Sequence, residues 1–178
     1  MNRKSSALIA LVFGLAVAPL ATFAEVSVQL SNVHICCDSC VKGVAKAVAP
    51  VTGITAVASK DDETVTITAP DQATAQKAVD ALITAGYFGT SNNPAIKVAA
   101  TTGASDAKVQ SLMVDGVHLC CKKCVTAVNN AVSKVPGVKT SGATKDAASF
   151  EVTGDFKPAD VFNNLQEAGL TGKAGKAK

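Results

Sequence analysis

Six cysteines, gathered in two groups of three, carry the most distinctive chemistry of this chain. Each group follows a histidine in the pattern His-x-Cys-Cys-x-x-Cys, and the pattern occurs twice. Thiolates are soft ligands suited to Cu(I) or Zn(II). One Cys-x-x-Cys is shared with redox proteins, but two copies with the same extra Cys and His favour a metal site. The motif residues are His34, Cys36, Cys37 and Cys40, then His118, Cys120, Cys121 and Cys124.

Disulfide chemistry is the alternative interpretation of the same cysteines. Three thiols per group cannot pair completely within the group, and structural disulfides usually connect distant segments. A disulfide within each Cys-x-x-Cys, as in a thiol–disulfide redox protein, stays open. So does a structural protein whose chains are joined by intermolecular disulfides.

Residues 1–24 have the features of a secretory signal peptide. Arg3 and Lys4 form a basic start, Ala7–Ala18 is apolar, and Thr22–Ala24 ends in small residues. The apolar run is shorter than the roughly 20 residues that a membrane span needs. We therefore expect an exported protein, periplasmic or secreted, that is not an integral membrane protein after cleavage.

Charge and motif content narrow the function further. Without Arg3 and Lys4 the positive and negative side chains are nearly balanced, which gives no reason to expect a nucleic-acid partner. The sequence has no recognisable nucleophile–base pair, paired carboxylates or phosphate-binding loop. We expect a binding protein rather than an enzyme.

An internal repeat organises the chain. A shift of 84 residues superimposes the two motifs, and it also places Val44 on Val128 and Gly53 on Gly137. Repetition of this kind indicates a duplicated structural unit. We expect residues 25–98 and 108–172 to form two domains, with 99–107 as a flexible linker and 173–178 as a disordered, lysine-rich tail. The linker would allow the two sites to meet or to move independently.

Apolar periodicity predicts the same elements in each unit. Val26, Val28 and Leu30 alternate as in a half-buried strand, and Val41, Val44 and Val48 recur at helical spacing. The full pattern is strand, helix, strand, strand, helix and a weak last strand. This predicts an α+β chain of two ferredoxin-like βαββαβ domains in tandem, each an antiparallel sheet with two helices on one face. The cysteines fall between the first strand and the first helix, at a helix start that favours thiolate over thiol.

The units resemble heavy-metal-associated domains, which occur as copper chaperones and as amino-terminal domains of metal-transporting P-type ATPases. That family's loop is Gly-Met-x-Cys-x-x-Cys, with Gly matched here by His34 and His118 and Met by Ile35 and Leu119. The resemblance implies primary ligands at the two Cys-x-x-Cys pairs, which are Cys37 and Cys40, then Cys121 and Cys124. It also implies that Gly86-Tyr87 lies near the metal, and the second unit has Gly169-Leu170 at that place.

The departures from the family loop bear on the metal. Cys36, Cys120, His34 and His118 are candidate additional ligands, and a Cys3His set would complete the four-coordinate site that Zn(II) prefers. Ligand count therefore favours Zn(II) over Cu(I), with up to one ion per domain. The expected function is sequestration or transfer of this metal. The expected partner, besides the ion, is a metal-transporting membrane protein or another metal carrier.

Asp38-Ser39 and Lys122-Lys123, the pairs between the ligand cysteines, differ in charge. The difference suggests that the two units dock different partners or dock each other.

Overall fold

The computed structural model describes residues 25–175. The predicted signal peptide therefore lies outside the described residues. Within residues 25–175, no helix combines the length and apolarity needed to span a membrane.

Each half of the described chain has the order strand, helix, strand, strand, helix, strand, with a four-stranded antiparallel sheet. The strand orders are β2-β3-β1-β4 in the first half and β6-β7-β5-β8 in the second. The predicted pair of ferredoxin-like α+β units is confirmed by this topology. The elements are β1 (Val26–Ser31), α1 (Asp38–Val48), β2 (Thr55–Ser59), β3 (Thr64–Ala69), α2 (Gln72–Thr84), β4 (Thr90–Ser91), β5 (Val109–Asp115), α3 (Lys122–Ser133), β6 (Val138–Ser141), β7 (Ser149–Phe156), α4 (Pro158–Glu167) and β8 (Lys173–Ala174).

The core of each unit lies between its sheet and its two helices. On β1 and β3, Val28 pairs with Ile67 and Leu30 with Val65, and all four side chains are buried. Alternate residues of a strand point to opposite faces, so one face of the sheet is covered and the other is left to solvent. The second unit repeats the arrangement, with buried side chains on β5, β7 and α4 at Leu112, Val114, Phe150, Val152, Val161, Phe162 and Leu165.

Local signals account for the helix boundaries. Asp71 caps α2 by accepting a hydrogen bond from the backbone N–H of Thr74 at 2.7 Å. The helix ends before Gly86, whose φ of +88° suits a residue without a Cβ. The last strand of each unit, β4 and β8, has only two residues. This agrees with the weak last strand that the sequence predicts for each unit.

The segment 99–107 between the units has neither helix nor strand, and its backbone contacts the second half. The Thr102 carbonyl accepts from Ala174 N at 2.7 Å, and the Ser105 carbonyl accepts from Ala159 N at 3.2 Å.

The predicted disordered tail, residues 173–178, is wrong for its first two residues, which form a strand. Lys173 and Ala174 pair with Asp115 and Val114 as β8, because this short strand completes the sheet at the free edge of β5.

The two halves pack against each other through equivalent loops. His34 N donates to Gly169 O at 3.1 Å, Thr171 N donates to Gly86 O at 3.0 Å, and Tyr87 forms a backbone bridge with Leu170. Each loop follows the second helix of one half and meets the cysteine loop of the other. This reciprocal contact gives the two halves an approximate two-fold relationship, which brings their cysteine loops together.

Candidate metal centre

The cysteines lie where α1 and α3 begin, as predicted. Cys37 and Cys121 are the N-cap residues, and neither side chain caps its helix. Cys40 and Cys124 lie in the first turns and are fully buried. Both helices therefore direct unsatisfied N–H groups and the positive end of their dipoles toward the sulfurs, which stabilises thiolate.

All six sulfurs form a single group, which we call the six-sulfur cluster. Every sulfur lies 3.4–3.8 Å from at least two others, and five of these separations cross between the halves. The shortest cross-contacts are Cys36 to Cys121 and Cys40 to Cys120, both 3.4 Å between Sγ atoms. Of the two arrangements that the linker allows, this structure has the one in which the sites meet.

Within residues 25–175, the residues that could hold a metal form three overlapping sets, and every set draws on both halves. The largest combines Cys40 with His118, Cys120 and Cys124. The others are His34, Cys36 and Cys124, and Cys36, Cys37 and Cys121. The predicted ligands are thus brought together, but in sets that differ from one closed site per domain.

The two histidines have different surroundings. Nε2 of His34 is buried and has no hydrogen-bond partner. Burial also lowers the pKa of His34, which keeps the imidazole neutral, the form that ligates metals. Nε2 of His118 lies 3.1 Å from the hydroxyl of Tyr87. His34 therefore has a free nitrogen at the cluster, whereas one nitrogen of His118 is already occupied.

Tyr87 lies beside the cluster, as the resemblance implies. Its side chain is 1% exposed, and its hydroxyl donates to the carbonyl oxygen of Cys40 at 3.0 Å. Its ring also contacts the ring of His118, with 4.6 Å between centroids. The aromatic ring thus belongs to the first half but contacts the cysteine loops of both.

Sequence reasoning missed Gly43. A Cβ at this position would lie 2.2 Å from the Tyr87 hydroxyl and 2.9 Å from a ring carbon of His118. Gly43 therefore makes the space in α1 that Tyr87 and His118 fill. The available signal was the glycine itself, because a glycine inside a helical pattern usually has a packing reason. The repeat has Ala127 at the corresponding position.

The sulfurs hold their protons unequally. The hydrogen bond from Cys124 lowers the pKa of the Cys40 thiol, and the same bond raises the pKa of Cys124. Burial raises the pKa of Cys36 to about 12 and also raises that of Cys120. Burial opposes ionisation of Cys121 too, but hydrogen bonds from the Cys124 N–H and from Cys36 outweigh it and lower its pKa to about 7. The cluster without metal thus stabilises thiolate at some positions and thiol at others.

The donor set fits a soft metal. Sulfurs bound to one tetrahedral ion at about 2.3 Å lie roughly 3.8 Å apart, and the observed separations reach this value. All six cysteines are free thiols. The unpartnered Nε2 of His34 adds a buried nitrogen for which a metal would be a partner. Six sulfurs and a neutral imidazole form a ligand set typical of Cu(I) or Zn(II).

The charged residues beside the cluster form exposed pairs within their own half. Lys60 donates to Asp38 at 2.8 Å, and Lys145 pairs with Asp146. Among the described residues, the structure has no ion pair between Asp38 and the lysines Lys122 and Lys123. The halves do contact each other, through sulfurs, glycines and backbone atoms. The opposite charges of Asp38 and of Lys122 and Lys123 contribute no ion pair to this contact.

No protein-family model and no curated protein sequence matches the chain. Several solved structures are similar. A copper-binding domain of the P-type ATPase HMA7 has 21% identity and a TM-score of 0.35, over 38% of this chain and 96% of that domain. The amino-terminal soluble domains of Bacillus subtilis CopA have 15% identity and a TM-score of 0.33, over 85% of this chain and 95% of theirs.

The first two RRM domains of the yeast poly(U)-binding protein Pub1 also match, with 16% identity and a TM-score of 0.26, over 85% of this chain and 99% of theirs. The fold of this chain rests on its own strand order and register. Its function has to be argued from the six-sulfur cluster.

Proposed function

We propose that this chain is an exported, non-catalytic protein that binds a soft metal ion, Zn(II) or Cu(I), and sequesters or transfers it. The observation that carries the proposal is the six-sulfur cluster, in which thiols from both halves lie 3.4–3.8 Å apart. Thiols gathered so closely beside two helix N-termini form a donor set for soft metals. The expected partners for delivery are a metal-transporting membrane protein or another metal carrier.

Metal titration tests the proposal directly. Residues 25–178 are expressed, reduced without oxygen, and titrated with Zn(II) and Cu(I) against chelators of known affinity. We expect at least one equivalent of metal to bind with submicromolar affinity, and a variant with all six cysteines changed to serine to bind far more weakly. Failure of both metals to bind would refute the proposal.

The redox alternative has its own readout. The Cys37 and Cys40 sulfurs lie 3.6 Å apart, and a disulfide would require them to approach to about 2.05 Å. Catalysis of insulin reduction by a chain that binds neither metal would favour a thiol–disulfide redox protein. Disulfide-linked oligomers that persist as the concentration of reducing agent is raised would favour a structural protein whose chains are joined by disulfides.

Export is tested separately. Residues 1–24 have the basic start, apolar run and small-residue end of a signal peptide. The full chain, produced in a Gram-negative host, is expected in the periplasmic fraction with Glu25 as its first residue. A product retained in the cytoplasm with an intact leader would contradict export without affecting metal binding.

A further inference from the structure

The Cys-x-x-Cys pair of the first half forms a closed triangle of sulfurs with one cysteine of the second half. Cys37 and Cys40 lie 3.6 Å apart between Sγ atoms, and Cys120 lies 3.7 Å from Cys37 and 3.4 Å from Cys40. Cys120 is the extra cysteine, the one that directly precedes the pair of the second half. It therefore contacts both sulfurs of the opposite pair.

A second triangle repeats this arrangement with the halves exchanged. Cys121 and Cys124 lie 3.7 Å apart, and Cys36 lies 3.4 Å from Cys121 and 3.6 Å from Cys124. The contact is reciprocal, as the approximate two-fold relationship of the halves requires. Each extra cysteine of the repeated motif thus lies against the pair of the other half.

Neither extra cysteine forms a closed triangle with the pair of its own half. Cys36 contacts Cys40 at 3.7 Å, but the nine short sulfur contacts within residues 25–175 include none between Cys36 and Cys37, and none between Cys120 and Cys121. The backbone is extended at Cys37 and Cys121, and adjacent side chains of an extended chain point to opposite sides. The geometry therefore favours ligands exchanged between the halves over ligands from one half.

Both triangles have the size for a three-coordinate metal. Their edges are 3.4–3.7 Å long. The centre of such a triangle lies roughly 2.1 Å from each sulfur, and outward movements of about 0.2 Å reach a metal–thiolate bond of about 2.3 Å. Three thiolates suit Cu(I), whereas Zn(II) prefers four tetrahedral ligands.

The two triangles can be occupied together because they have no sulfur in common. Contacts of 3.7–3.8 Å join one triangle to the other. Cys36, Cys37 and Cys121 also lie within 4.8 Å of one another, so the triangles face each other like opposite faces of a distorted octahedron. Opposite faces of an octahedron of this size lie about 3 Å apart, which exceeds a metal–thiolate bond of about 2.3 Å. Two Cu(I) therefore fit without sharing a ligand.

We propose that the two halves exchange ligands, so that the extra cysteine of each half completes a trigonal Cu(I) site with the Cys-x-x-Cys pair of the other half. The two sites are Cys37–Cys40–Cys120 and Cys36–Cys121–Cys124. This proposal rests on the proposed function and specifies its cargo and the ligands of each ion. Each thiol gives its proton to solvent as it ligates, and the N-termini of α1 and α3 stabilise the negative charge of the thiolates. Separation of the halves removes one of three sulfurs from each ion, which couples release of the metal to opening of the contact.

Chains with one intact pair test the exchange. Residues 25–178 carrying C37S and C40S keep only the second pair, and their Cu(I) affinity is measured against a chelator without oxygen. Adding C36S should lower the affinity at least tenfold and change the coordination from three sulfurs to two, as counted by X-ray absorption at the copper edge. Adding C120S is the matched control, because it removes the equivalent half-buried cysteine of the other repeat, and it should change neither quantity.

The mirrored chain reverses the two roles. With C121S and C124S only the first pair remains, so C120S should now weaken Cu(I) binding and C36S should not. Circular dichroism shows whether each chain is folded, and either folded background decides the test.

The outcomes separate the two proposals. A larger loss from removing the extra cysteine next to the intact pair refutes the exchange and leaves soft-metal binding standing. Equal effects of C36S and C120S, or no effect of either, do the same. A chain with all six cysteines that binds neither Cu(I) nor Zn(II) refutes both proposals.

Discussion

The hydroxyl of Tyr87 connects the two halves beside the six-sulfur cluster, donating to the Cys40 carbonyl at 3.0 Å and lying 3.1 Å from Nε2 of His118. A phenol has one proton. With that proton on the Cys40 carbonyl, Nε2 of His118 carries a hydrogen and donates to the phenol oxygen. The other nitrogen, Nδ1, then has the free lone pair. Tyr87 thus sets both the position and the tautomer of a candidate ligand.

Substitution Tyr87→Phe tests this connection. The change removes the hydrogen bond to the Cys40 carbonyl and leaves one His118 nitrogen without its partner in a buried site, which costs about 1–3 kcal/mol in the free energy of unfolding. We also expect faster metal release, because His118 is no longer held. Denaturant unfolding and stopped-flow transfer to a chelator measure the two effects.

Thr171→Val is a matched control for the tyrosine change. Thr171 is also buried at the contact between the halves, but its hydroxyl has no hydrogen-bond partner. Removing it should leave the free energy of unfolding unchanged or slightly raised. Equal destabilisation by both variants would show that the Tyr87 hydrogen bonds do not account for the change in the free energy of unfolding.

Substitution Gly86→Ala or Gly169→Ala should separate the halves. Both glycines have positive φ, and a Cβ would lie 2.5 Å from the Gly116 carbonyl at position 86 and 2.5 Å from His34 N at position 169. Backbone atoms cannot give way locally, so the facing loop must move. We expect a larger radius of gyration in small-angle scattering and at least a tenfold loss of metal affinity.

Gly103→Ala distinguishes this clash from backbone strain. Gly103 has a similar φ of +67°, but a Cβ there meets nothing within 4 Å. Its substitution carries only the strain of the left-handed conformation, about 1–3 kcal/mol. The proposed effect requires Gly86→Ala to reduce metal affinity more than Gly103→Ala, and equal losses would contradict it.

The sequence predicted the elements well because each depends on neighbours along the chain. Burial of one strand face and one helix stripe leaves a local period, as at Val28 and Leu30, and the cap at Asp71 acts over three residues. The docking of the halves has no such signal. It depends on complementarity between distant loops, such as Gly169 against His34, and the nine-residue linker permits this contact without specifying it. The merging of two predicted sites into one cluster was therefore outside what periodicity and spacing could determine.

Metal affinity should rise with pH. Burial raises the pKa of Cys36 to about 12 and raises that of Cys120 as well, so both remain protonated near neutral pH and must lose their protons to ligate. The thiol form is favoured at lower pH, which opposes binding, and each displaced proton adds a factor of about ten per pH unit. Zn(II) affinity should therefore increase at least tenfold per unit between about pH 6 and 8.

Calorimetry in buffers of different ionisation enthalpy counts the protons released. More than one proton per metal ion is expected near pH 7. Binding that is independent of pH would contradict protonated thiols in the metal-free cluster, whatever the final ligand set.

Replacement of His34 should affect metal binding more than folding. Nε2 of His34 is buried without a partner, so His34→Leu removes a polar atom that contributes no hydrogen bond to the metal-free fold. The backbone N–H of residue 34 can still donate to Gly169 O. If His34 completes a Zn(II) site with Cys36 and Cys124, Zn(II) affinity falls at least tenfold while the metal-free chain unfolds at nearly the same denaturant concentration.

His118→Leu is the comparison, because it also removes the contact with Tyr87 and should lower the stability of the metal-free chain. Unchanged Zn(II) affinity in His34→Leu would exclude His34 as a ligand and leave the sulfurs as the whole donor set.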